Sequence, residues 1–116
     1  MKVNILTFGF RHGEPKVDIV IDCRGLRNPH RNKRLRYLCG LDKPVIQEVK
    51  GTPGFDGLLR RAVELTCGLE RDVVNVGVGC FGGKHRAVVV GEALKSELEK
   101  RGIEVDVSHT SPAMGG

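Results

Sequence analysis

Cys80-Phe81-Gly82-Gly83-Lys84-His85-Arg86 brings a thiol, two adjacent glycines and three basic or near-basic side chains into one short stretch. Glycines let the backbone approach a ligand and turn its N–H groups inward, where a phosphate can accept them. Downstream, Ala87, Val90, Gly91, Leu94 and Leu98 recur at the spacing of one helix face. That spacing puts Lys84, His85 and Arg86 in the first turn of a helix. Cations there oppose the positive end of the macrodipole, at a cost of a few tenths to about 1 kcal/mol each. A bound oxyanion resolves the conflict, so the stretch reads as an anion site.

A second chemistry shares the same residues. Cys80 and Arg86 stand at the C-x5-R spacing of cysteine-dependent phosphatases, in which a thiolate attacks phosphorus. That reaction ordinarily has a hydroxyl after the arginine, and here Ala87 follows it. It also needs an aspartic general acid, for which Asp22 and Asp42 are the candidates. Catalysis through Cys80 and Arg86 is therefore the alternative reading, and a non-catalytic binding domain the principal one.

Other charges fall near the ends of expected strands. Asp22 and Arg24 follow an apolar run from Val17, at the carboxyl end where open α/β sheets place ligands. From Arg24 to Arg36 there are six Lys or Arg and no acid. Arg27, Arg31, Lys33, Arg34 and Arg36 make this a basic loop whose field attracts phosphates, with weak, salt-sensitive RNA affinity as one consequence. The cysteines show no spacing suited to a metal, and no metal or cofactor is expected.

The elements that must position these residues are legible as periods. Val73, Val74, Val76 and Val78 read as a buried strand leading into the glycine stretch. Val3 to Phe8, Val17 to Cys23 and Glu104 to Ser108 read as further strands. Val45 to Lys50 is a short helix. Thr52-Pro53 suits the start of another, with Gly68 as its stop. Lys100, Arg101 and Gly102 suit the end of the last helix, with Leu98 and Ile103 in contact across it. The order β-β-α-α-β-α-β predicts a single compact α/β domain over 1–109, of three-layer type, with a mixed or mainly parallel sheet. Residues 110–116 are expected to form a flexible tail.

At 116 residues, 28% charged, 40% hydrophobic and net +5, the composition is that of one small globular domain. The N-terminus reads as a strand, and no run of about 18 apolar residues occurs, so the expected location is the cytoplasm.

Four stretches together carry a family resemblance: Phe8-Gly9-Phe10-Arg11-His12-Gly13, Asp22 to His30, Gly40-Leu41-Asp42-Lys43-Pro44-Val45 and Gly79 to Arg86. The chain resembles the C-terminal domain of the RNase adapter protein RapZ family, also described as nucleotide-binding YvcJ-like proteins. The resemblance implies a phosphosugar sensor for glucosamine-6-phosphate, with a regulatory RNA as a further partner in some members, and self-association. It would place ligand contacts on Arg11, His30, Gly82, His85 and Arg86, with Asp22 and Arg24 shaping the pocket. Gly83 and Lys84 join them on the loop argument. Phe81 and Ala87 stand where the family usually has Thr and Ser, and the stretch after Ser108 lacks the basic character of RNA-binding members. No G-x-x-x-x-G-K-[ST] occurs, so ATP binding is not implied and a standalone domain is expected.

Overall fold

The valine-rich stretch Val73–Cys80 forms a strand, β3, inside a four-stranded sheet. Alternation sends Val74, Val76, Val78 and Cys80 to one face, where all are buried. The computed structural model describes residues 1–114. It orders the strands β2 (Ile19–Asp22), β3, β1 (Lys2–Gly9) and β4 (Glu104–His109), with every neighbouring pair parallel. Val3 lies opposite Val74 and Val105, and Ile5 opposite Val76 and Val107, so β1 continues the apolar face across the sheet. Fully burying each such side chain contributes about 1.5–3 kcal/mol.

Three helices cover that face: α1 (Lys43–Lys50), α2 (Phe55–Gly68) and α3 (Arg86–Lys100), each in contact with the other two. The steps from β2 to β3 and from β3 to β4 run in the same direction along the sheet. Right-handed crossovers therefore place their helices on the same side. The step from β1 to β2 runs the other way and crosses the opposite face with a loop, not a helix. Phe8, Phe10, Pro15 and Val17 lie there against Gly77 and Gly79, whose missing side chains leave room for them. The third layer is thus a loop.

The element order and the parallel sheet agree with the sequence reading; several boundaries do not. Helix α3 begins at Arg86 with His85 as N-cap, so Lys84 and His85 precede the helix and do not sit in its first turn. Helix α2 begins at Phe55 after a left-handed Gly54, beyond Thr52-Pro53. Gly68 is its last residue and not a stop; the left-handed residue after it is Glu70. The end of α3 follows expectation: Gly102 N–H donates to the Glu99 carbonyl and Ile103 N–H to that of Leu98.

The segment expected as a tail is tied to the carboxyl ends of the strands as far as it is described. Thr110 donates to the Thr7 carbonyl through both its N–H and its hydroxyl, and buried Ser111 donates to the Gly82 carbonyl at 2.7 Å. Pro112–Met114 form a 3-10 turn. Gly115 and Gly116 lie outside the described residues. No described helix is long and apolar enough to cross a membrane.

Candidate functional site

The glycine stretch is held from beneath by the end of β1. Gly83, at φ 75°, lies so close to β1 that a Cβ would come within 2.6 Å of the Gly9 nitrogen and the Phe8 carbonyl carbon. Arg11 N–H donates to the Phe81 carbonyl and Ser111 to that of Gly82, which turns those carbonyls away from the loop mouth. The N–H groups of Gly82, Gly83, Lys84 and His85 find no acceptor among the described residues. They are the donors an anion would use.

The basic loop closes over this turn through its own carbonyls. Arg86 Nη1 donates to the carbonyls of Arg24 at 2.8 Å and Leu26 at 3.2 Å. His85 Nε2 pairs with the Leu38 carbonyl at 2.7 Å, and Lys84 Nζ donates to that of Arg36 at 3.2 Å. Gly40 N–H donates to the Lys84 carbonyl, and its missing side chain lets the loop lie directly on His85 and Val88. The three basic groups are therefore partly satisfied by carbonyls, and two of them stand ahead of the helix. Arg86 is 6% exposed, and its Nε is buried without a partner among the described residues.

A cavity of about 370 Å³ opens at this junction. Of the residues singled out from sequence, Arg11, His30, Gly82, Lys84, His85 and Arg86 line it. Gly83 does not; its place is against β1. Asp22 and Arg24 do not either. They bind each other, with Arg24 Nη2 2.8 Å from Asp22 Oδ2, and the Arg24 guanidinium stacks 3.8 Å above the Phe10 ring. This pairing holds the Asp22 carboxyl below its ordinary range. Sequence reasoning missed His12, Asn28 and Tyr37 as lining residues. His12 and Asn28 lay inside motifs already noted, whereas Tyr37 had no signal beyond closing the basic run.

Cys80 also lines the cavity, 2% exposed, with its Sγ accepting from Ala87 N–H at 3.4 Å. No carboxylate shares the lining. Asp22 is held by Arg24, and Asp42 accepts from Cys39 N–H at 2.7 Å. Neither lines the cavity with the thiol.

The His85 imidazole is pushed below its ordinary value of 6.5, chiefly by burial; the Leu38 carbonyl pulls the other way, and Lys84 and His30 add to the depression. The unfolded chain then takes up this proton at higher pH than the folded one. Stability held by neutral His85 is full above about 6.5 and declines as pH falls toward the lower folded value. A bound dianion favours imidazolium. Thermal melts from about pH 7 down to about pH 5 should thus show a loss of stability that His85→Asn flattens and a saturating phosphate ester reduces. An unchanged slope in His85→Asn would assign the titration to another group.

Three further arginines of the basic loop, Arg24, Arg27 and Arg31, line a second cavity of about 870 Å³ that shares Asn28, Phe81 and Arg86 with the first. Arg27 pairs with Glu48 at 3.5 Å. Arg36 lines the smaller cavity and donates to the His30 carbonyl, whereas Arg34 lines a separate surface depression with Arg27. Lys33 lines none of these three.

Comparison with known proteins places these features in a wider set. A family model described as the RapZ C-terminal domain matches residues 1–112. A protein of Thermobifida fusca named as a nucleotide-binding protein is 38% identical over 94% of this chain and 40% of its own length. Nucleotide-binding proteins of a Thermotoga species and of Nitratidesulfovibrio vulgaris are 40% and 36% identical over 92% and 99% of this chain, each across 41% of its own length. The chain thus spans about two fifths of the length of these relatives.

Proposed function

The chain belongs to the RapZ C-terminal domain family, and on that footing we propose that the Gly82–Arg86 cavity binds a small phosphate ester, a phosphosugar of the glucosamine-6-phosphate kind, as a sensing domain. The supporting observation is the convergence of Arg11, His30, Lys84, His85 and Arg86 around backbone N–H groups that have no other acceptor among the described residues. The loop amides and Arg86 would take the phosphate, since a guanidinium and a row of N–H groups both suit tetrahedral oxygens. Arg11 and Lys84 would supply charge. His30 extends from a 3-10 turn whose Asn28 Oδ1 accepts the His30 N–H. It would meet the sugar hydroxyls from the loop side. A cavity of this size falls in the ordinary range for small ligands.

Isothermal titration with glucosamine-6-phosphate is the test. The expected outcome is saturable one-to-one binding, with glucosamine lacking the phosphate bound far more weakly. His30→Ala should lower affinity roughly 10-fold, the size of one lost hydrogen bond to a charged or strongly polar partner. Equal affinity for glucosamine and its phosphate would overturn the assignment.

A further inference from the structure

The smaller cavity does not end at the glycine turn. Asn28, Phe81 and Arg86 form part of its wall and also part of the wall of the larger cavity, so the two are contiguous across the Phe81 ring. Phe81 is 57% exposed, with the Arg11 guanidinium 5.6 Å from its ring centre. Beyond it, the larger cavity carries three further guanidiniums. Arg24 is matched by Asp22 and Arg27 by Glu48, but Arg31 has no side-chain hydrogen bond or ion pair among the described residues and stands exposed. A phosphosugar with one anionic end uses the first cavity alone. It leaves Arg31 and the exposed ring unexplained.

The geometry points to a second anion subsite at Arg31, so that the site also takes, and holds more tightly, a small molecule with two separated phosphate-type groups, one in each cavity, and a ring-shaped middle lying over Phe81. This rests on the reading of the Gly82–Arg86 cavity as a phosphate site. Charge at both ends and a ring between them match the order cation, aromatic face, cation along the surface.

The matched probes are glucose-6-phosphate and glucose 1,6-bisphosphate, which differ only in a phosphate at the opposite end of the sugar. Titration of both at equal ionic strength should show the bisphosphate bound about 10-fold or more tightly, the gain expected of one added charge-assisted contact. Arg31→Ala should collapse that ratio toward one. Lys33→Ala removes the same charge from the same loop but outside both cavities, and should keep the ratio. Binding of the bisphosphate alone, lost in Arg31→Ala, would also support the subsite. A ratio near one in the wild-type chain, or equal reduction by Arg31→Ala and Lys33→Ala, would overturn it and leave the first site standing. Failure of both probes to bind would overturn the subsite, while saturable binding of glucosamine-6-phosphate in the same titrations would keep the first site standing and its absence would overturn that too.

Discussion

Arg86→Ala should lower affinity for a phosphosugar by about 10- to 100-fold, the loss of a charge-assisted contact worth about 1.5–3 kcal/mol. On the sequence alone, this substitution is expected to affect binding and leave the fold intact. The structure adds a stability cost, because Arg86 is buried and its Nη1 serves the carbonyls of Arg24 and Leu26. Leaving those acceptors without a donor costs about 1–3 kcal/mol, so a lower denaturation midpoint should accompany the weaker binding. Arg86→Lys keeps the charge but cannot reproduce the forked geometry. It should recover part of the stability and little of the affinity. Titration and urea unfolding of both variants check this. A folded Arg86→Ala chain with undiminished affinity would remove the loop from the binding site.

Adjacent glycines should behave in opposite ways. Gly83→Ala is expected to destabilise the chain by about 2–5 kcal/mol, combining a left-handed backbone with a methyl group forced against β1. The φ of 75° and the 2.6 Å approach to Gly9 and Phe8 are the cause. At Gly82, which lines the cavity, a Cβ would meet nothing within 4 Å. Gly82→Ala should therefore leave the unfolding midpoint nearly unchanged and weaken ligand binding. Unfolding curves and titrations of the two variants check the contrast; equal stabilities would mean that the loop does not rest on β1 in solution.

That contrast also shows what could be read from residues alone. Both glycines invite one explanation, freedom to approach a ligand, because a sequence does not reveal that β1 passes beneath the second. The valine alternation in β3, the apolar stripe of α3 and the Gly102 stop were legible, since each depends on neighbours close along the chain. The start of α2 was not, because a left-handed Gly54 took the place of the side-chain cap suggested by Thr52. Asp22 and Arg24 do lie at a strand end. Their pairing with each other is a local contact two residues apart, whereas the stacking of Arg24 on Phe10 depends on the β1–β2 crossover, which carries no periodic signal. Closure of the basic loop through Arg86, His85 and Lys84 joins segments about 50 to 60 residues apart, and it emerges only once β2 and β3 are adjacent.

The central claim, that the glycine turn is a phosphate site, is tested most directly by following backbone amide resonances during titration with glucosamine-6-phosphate. Saturable shifts should concentrate at Gly82, Gly83, Lys84, His85 and Arg86, with smaller ones along the loop they hold, at Leu26, Leu38 and Gly40. Shifts that fail to saturate, or that scatter over exposed lysines and arginines while Gly82 to Arg86 stay still, would contradict it.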